Sequence, residues 1–358
     1  MPLKVQPAWG EERGVRQTGM KVRANRAASG RVRMLDVARE AGVSAQTVSR
    51  VLRLPEKVAE ATRRRVLGAI EKLNYVPDLT ASYLASNRSR VVALVLPSVS
   101  MSIFADTVAG LTSSLDSAGY QLLLAHTDYS LDDEEAAIRA FLGRRPDAMV
   151  LTGVEHSARA EELLRLSGIP VVQTWALTDN PIDMVVGCDN VGAGFAMGEY
   201  FIERGYRRLA FAGTNTELRS RQRLEGFARA LAGKVAEPLV VGREDLTRQM
   251  DEGAAAVDEV LRRQPDTDAV FVASDALAAG AIFECRRRGV RVPDDIAIAG
   301  FGGYEIARHI TPGLTTAEVS GRRIGELAAQ LIVTRLAGKA LEQDVVDVGF
   351  RIVQRDSA

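Results

Sequence analysis

From residue 91 onward the chain repeats one rhythm: a short, continuously apolar run, a stretch with apolar residues at helical spacing, then another apolar run. VVALVLP (91–97), YQLLLAH (120–126), AMVLTG (148–153) and PVVQTW (170–175) form one set; RLAFAG (208–213), PLVVG (238–242), AVFVAS (269–274) and IAIAGFG (296–302) form a second. Runs without polar alternation are expected to be parallel strands buried on both faces. Between them Phe104, Val108, Leu111 and Leu115 recur at helical spacing, and Leu163, Leu164 and Leu166 mark a second amphipathic stretch. Two sets of such βαβ alternation predict an α/β body, 91–358, of two doubly wound parallel-sheet subdomains. The first takes about 91–175 and 319–341, the second about 176–318 and 342–358. Ligands in such folds bind outside the carboxyl ends of the strands, so two facing sheets make a cleft between them.

Residues 33–77 follow a different rhythm, three short helical patterns in succession. In DVAREAGVSAQTVSRVL (36–52), Val37, Ala38 and Ala41 form an apolar stripe and Gly42 supplies a tight turn. Ser44 caps the next helix, whose inner face is Val48, Val51 and Leu52. That predicts an all-α helix-turn-helix head in which Ala45, Gln46, Ser49 and Arg50 point outward, with Ser44 and Thr47 at the start of the reading helix. Gln pairs with adenine and Arg with guanine in the major groove. Charge agrees: residues 1–90 hold 18 Lys and Arg against 8 Asp and Glu, whereas the whole chain carries 46 of each. A basic head on an acidic body is suited to double-stranded DNA. Residues 1–32, rich in Arg, Gly and Ala, read as a disordered basic tail that either adds salt-sensitive phosphate contacts or is a solvated extension. Residues 78–90 read as a hinge or linker.

Several function classes find no support. No apolar run reaches the roughly 18–20 residues needed to span a bilayer, and the start lacks a signal peptide's apolar core, so a cytoplasmic protein without a membrane partner is expected. Cys188 and Cys285, with three histidines in the chain, make neither a disulfide framework nor a metal site, and both are expected to be buried. No cofactor is expected. There is no GxGxxG turn, GxxxxGK[ST] loop, GxSxG elbow or HExxH pair, so the doubly wound body is read as a binding module rather than an enzyme. A sugar-binding protein without a regulatory role is the alternative from another class, and the attached helix-turn-helix argues against it.

The wording of the head, continued by PEKVAEATRRRVLGAIEKLNYVPDLTASYLASNRSR (55–90), resembles the lactose-repressor family of transcriptional regulators, and the likeness runs through nearly everything after residue 33. It implies that Asn74 and Tyr75, in the phrase Asn74-Tyr75-Val76-Pro77, close the head's third helix at the DNA. It also implies that Leu84 in the hinge wedges into the minor groove at the operator centre. GCDNVGAG (187–194), RSRQRLEGF (219–227), VASDALAAGAI (272–282) and AIAGFGGYE (297–305) resemble the family's periplasmic-binding-protein-like core. By that resemblance Phe104, Arg223 and Ser274 line the cleft. Trp175 is placed to stack on a sugar face or simply to cover the sheet, and His156 to offer a polar contact or to serve a surface or structural role. Phe104 fits the core stripe of its helix equally well.

Many members of the family carry Asp where this chain has Gly302, and losing a carboxylate there suits an anionic effector. With GYQLLLAH, GIPVV, FECRRRGVRVPDDIAIAGF and the final DVGF, the chain is similar to gluconate-operon repressors. Gluconate or a related sugar acid is therefore the expected effector, with a neutral or phosphorylated sugar as the alternative. No leucine heptads follow the last strand-like segment, DVGFRIV (347–353), so a homodimer reading a pseudo-palindromic operator is expected.

Overall fold

The computed structural model describes residues 32–76, 88–99, 102–245 and 248–358. The basic tail and Leu84 lie outside the described residues. Two compact units are present, one ending at Ala81 and the other beginning at Ser82.

The head is built from α1 (Met34–Ala41), α2 (Ala45–Arg53) and α3 (Glu60–Lys72), with a short 3₁₀ turn at Pro55–Lys57. Gly42 takes the left-handed conformation, φ 62°, that ends α1 and lets its own N–H close the helix. Two residues later the Ser44 hydroxyl accepts the Thr47 N–H at 3.1 Å and starts α2. Val37, Ala38, Val48, Val51, Val66, Ala69 and Tyr75 close around one small core.

The body contains two six-stranded sheets. The first has the order β11-β5-β4-β3-β1-β2, from β1 (Val91–Leu96), β2 (Gln121–His126), β3 (Ala148–Thr152), β4 (Val171–Thr174), β5 (Met184–Gly187) and β11 (Val345–Asp347). The second has the order β12-β10-β9-β8-β6-β7, from β6 (Leu209–Gly213), β7 (Leu239–Gly242), β8 (Ala269–Val272), β9 (Ala297–Gly302), β10 (Thr315–Glu318) and β12 (Arg351–Val353). All pairings are parallel except β10 with β12. Each face is covered by helices. Along β1, Val92, Leu94 and Leu96 join the core that includes Leu111 and Leu115 of α4 (Ser102–Ser117). Ala93 and Val95 join a second core with α5 (Leu131–Leu142) and α6 (Ala158–Ser167). Under the second sheet, Phe211, Phe227 and Phe271 meet with ring centres 5.4–6.3 Å apart, joining β6 and β8 to α8 (Leu218–Leu231). Beside α8 runs α7 (Asn190–Glu203), so close that a Cβ on Gly226 would overlap the Val191 carbonyl.

The structure corrects four expectations. Strands β5 and β11, assigned from sequence to the second subdomain, belong to the first sheet. DVGFRIV is not one strand: β11 ends at Asp347, β12 begins at Arg351, and the two enter different sheets. YQLLLAH is not buried on both faces, because β2 lies at the sheet edge and Leu123 and Leu124 are each 37% exposed. Leu166 faces solvent, and Leu164 with Ala160 carries the core contact of α6. Cys188 and Cys285 are buried as expected, and burial pushes each thiol up to about 12, so neither is a reactive thiolate.

Candidate nucleic-acid interface and effector cleft

On α2, Gln46 and Arg50 are exposed and lie one turn apart, hence on one face. Ser49 is half-buried and its hydroxyl accepts from Arg53 Nη2 at 2.6 Å, so Arg53, overlooked in the sequence, holds the end of that face. Thr47 is half-buried with its hydroxyl 3.0 Å from that of Ser44, and Ala45 packs partly onto the head core. Asn74 is exposed in a left-handed conformation, φ 46°. Tyr75 differs from expectation: it is 6% exposed and forms the floor of the head core, so its side chain supports the fold instead of facing DNA.

Between the two sheets of the body lies a small cavity lined by Phe104, Tyr129, Trp175, Arg219, Arg223 and Ser274, together with Glu217, Gln249, Phe301 and Tyr304. Each is positioned by local structure. Trp175 follows β4 at φ 74°, a conformation that turns the chain out of the sheet. Its Nε1 donates to Thr107 Oγ1 at 3.2 Å, and its ring meets Phe104 edge-on, with centres 6.1 Å apart. The Trp175 carbonyl accepts from Asn190 Nδ2 at 3.1 Å, and Asn190 Oδ1 in turn accepts from Arg223 Nη1 at 2.6 Å. Asn190 thereby fixes Arg223, whose guanidinium lies 4.2 Å from the centre of the Phe301 ring. Ser274 caps α10 (Asp275–Arg288) by accepting from Leu277 N, and its hydroxyl donates at 3.0 Å to Oε1 of Gln249, the first residue of α9 (Gln249–Arg263).

Arg219, one turn before Arg223, packs over the Phe104 ring and hydrogen-bonds Tyr129, both from the first subdomain. Glu217 accepts from Arg219 Nε and lies 3.8 Å from Arg223 Nη2. Burial alone would raise the Glu217 carboxyl, but the two guanidiniums outweigh it and hold it below its ordinary range. Arg223 remains incompletely satisfied, since its buried Nε has no hydrogen-bond partner among the described residues. Burial, largest in effect, lowers its affinity for its proton. The cavity thus presents two guanidiniums, one internal carboxylate and several aromatic faces, a set chemically able to hold an anion beside a polar carbon chain.

Phe104, Trp175, Arg223 and Ser274 meet in this cavity, whereas His156 and Gly302 do not line it. The His156 side chain is fully buried, with Nδ1 2.9 Å from Glu134 and Nε2 3.1 Å from Gln173, so both ring nitrogens serve the fold. Gly302 opens on a neighbouring pocket beside Gly303 and Glu318. At φ 123°, with the Tyr304 ring against the place of a Cβ, it is required by the backbone; its lack of a carboxylate says nothing about the ligand. The cleft does hold an acid, Glu217. Glu217, Arg219 and Tyr129 were not singled out from the sequence.

The two units together define a DNA-binding transcriptional regulator. The profile of "Bacterial regulatory proteins, lacI family" matches residues 33–78, and that of "Periplasmic binding protein-like domain" matches residues 199–358. The HTH-type transcriptional regulator GntR of Escherichia coli (strain K12) is 34% identical over 319 residues, 88% of this chain and 96% of that protein. The regulator of the same name from Pseudomonas aeruginosa is 35% identical over 336 residues, 93% of this chain and 97% of that protein. A crystal structure of a lacI-family transcriptional regulator from Silicibacter pomeroyi superposes with a TM-score of 0.85 at 33% identity, covering 91% of this chain and 99% of the other. The chain belongs to the lacI family of bacterial regulatory proteins. Its relatives and its fold are those of regulators, not enzymes. Among the described residues no helix is long and apolar enough to cross a membrane.

Proposed function

We propose that the chain is a cytoplasmic repressor whose affinity for a pseudo-palindromic operator is set by a small sugar acid of the gluconate type. The observation that carries this reading is the arginine pair in the cleft: Arg219 and Arg223 are 9% and 7% exposed in their side chains, and the buried Nε–H of Arg223 has no partner among the described residues. A carboxylate answers that donor with a charge-assisted bond, and the flanking Ser274 and Gln249 offer partners to sugar hydroxyls. The similarity to gluconate-operon repressors supports the same class of ligand. In the head, Gln46 and Arg50 read base edges, with Ser44 and Asn74 at the flanks. A homodimer supplies two such heads. The exposed Leu123 and Leu124 on the β2 edge, with Met250 and Phe283, provide apolar surface for the partner.

Calorimetric titration with gluconate beside glucose and gluconolactone tests the effector. Gluconate is expected to bind well and the neutral compounds weakly; equal affinity for all three would refute the sugar-acid reading.

A further inference from the structure

Beyond the effector's chemical class, the cleft contains a device that selects for it. We propose that Glu217 is an internal competitor for the effector's acid group. Its carboxylate occupies the guanidinium site that the ligand's carboxylate takes over, so that entry is an exchange of one anion for another. The inference rests on the sugar-acid reading and concerns how that ligand gains its place.

Three observations carry it. First, Glu217 sits where an anionic ligand would, engaging Arg219 directly and Arg223 at 3.8 Å, with only 16% of its side chain exposed. Second, Glu217, Arg219 and Tyr129 line both the inner cavity and an outer pocket that includes Thr127, Ser130 and Thr216, so these side chains are the partition between the two spaces. Third, the inner cavity has a volume of about 40 Å³ and the outer pocket about 130 Å³. At roughly 10–15 Å³ for each water the inner space admits only a few waters. The inner space is too small for a six-carbon acid until a side chain of its wall yields, and Glu217 belongs to that wall. Glu217 precedes the first turn of α8, and the outer pocket offers the hydroxyls of Thr127, Ser130 and Thr216 to its displaced carboxylate.

The exchange sets the specificity. A neutral sugar that displaces Glu217 leaves two buried guanidiniums without a counter-charge, and uncompensated buried charge is among the largest penalties a protein interior imposes. A carboxylate restores the pair as it enters and adds the bond that Arg223 Nε lacks. Discrimination between acid and neutral sugar then comes from the unfavourable alternative as much as from the favourable contact.

The test uses the full chain, its Glu217→Gln and Glu217→Ala variants, and two probes, gluconate and acetate. Removing the competitor is expected to tighten gluconate binding on the order of tenfold in Glu217→Gln while glucose binding stays weak. Acetate is expected to raise the melting temperature of Glu217→Ala above that in sodium chloride of equal ionic strength, and to do so far less in wild type, because the small acid fills the vacated guanidinium site. If either variant is unfolded on its own, recovery of a cooperative melt with acetate supports the exchange and lack of recovery overturns it. Gluconate affinity unchanged or weakened in a folded Glu217→Gln, or equal response of variant and wild type to acetate, overturns it as well. Failure of wild type to bind any sugar acid refutes the effector assignment instead, and the acetate arm still decides whether Glu217 holds an exchangeable anion site.

Discussion

Asp275, the first residue of α10, is completely buried beneath the turn that leaves β9. Burial is the largest influence on its carboxyl and raises it from an ordinary 3.8 to about 6, although Thr316 Oγ1 and the backbone N–H groups of Tyr304 and Gly303 donate to it and Arg355 lies near. Because the folded-state value is raised, native Asp275 holds a proton that the unfolded chain has released anywhere between about 3.8 and 6. Stability is therefore gained as pH falls through 6, and the gain is complete below 3.8. A shift of roughly two units corresponds to about 3 kcal/mol in full, of which about 1 kcal/mol accrues between pH 7 and pH 5. Asp275→Asn is neutral throughout and loses this dependence, at the fixed cost of turning an amide NH₂ toward one of the donors. The measurable quantity is the difference in unfolding free energy between wild type and Asp275→Asn, from urea melts at pH 7 and pH 5; every other titrating group cancels in it. Wild type should gain about 1 kcal/mol on the variant at the lower pH, or about 2–4 °C in melting temperature for a domain of this size. An unchanged difference would show that the three donors already compensate the buried charge and would refute the reasoning.

Arg50→Ala should weaken specific operator binding by about 1–3 kcal/mol in fluorescence anisotropy and leave effector titrations unchanged, as expected of an exposed base-reading side chain. Tyr75→Ala, which empties the floor of the head core, should cost about 3–5 kcal/mol and abolish operator binding through loss of the head's fold, with the body's thermal transition intact. Arg223→Lys should reduce gluconate affinity in calorimetry because an ammonium keeps the charge but loses the planar fork, while operator binding without effector persists. Gly226→Ala should lower the melting temperature of the body by forcing α7 and α8 apart, an overpacking cost of about 1–3 kcal/mol or more.

Strands that are apolar throughout were legible in the sequence because burial on both faces leaves no alternation to confuse the reading. β10 was not, since Thr315 and Thr316 look polar; both are fully buried, their hydroxyls satisfied by the chain's last residues and by Asp275. The exposure of β2 was equally hidden, because nothing in YQLLLAH distinguishes an edge strand from a central one. In the cleft, Arg223 could be read from its phrase, and a further signal was there to use. Arg219, Arg223 and Phe227 recur every four residues, so two arginines occupy the helical stripe that Phe227 assigns to the core, and charge in a core stripe marks a site. Glu217, two residues before Arg219 at the start of α8, carried no pattern of its own that would mark it, and Tyr129 reaches the arginines only when the two sheets face each other. His156 shows the opposite failure, a histidine whose partners Glu134 and Gln173 lie 22 and 17 residues away and turn a candidate ligand contact into a structural bond.

The chain passes between the two sheets three times: after β5, after β10, and finally between β11 and β12. The last passage is the shortest. Only Val348, Gly349 and Phe350 separate an edge strand of one sheet from an edge strand of the other, and Val348 N is itself bound to the Gly187 carbonyl at 2.9 Å. Four Cα steps span at most about 14 Å. This segment is a leash: the sheets can swivel about it, but they cannot be drawn apart without stripping β11 or β12 from its neighbour. Opening of the cleft is therefore limited at this end to that reach, and any wider separation of the sheets has to come at the edges remote from the leash.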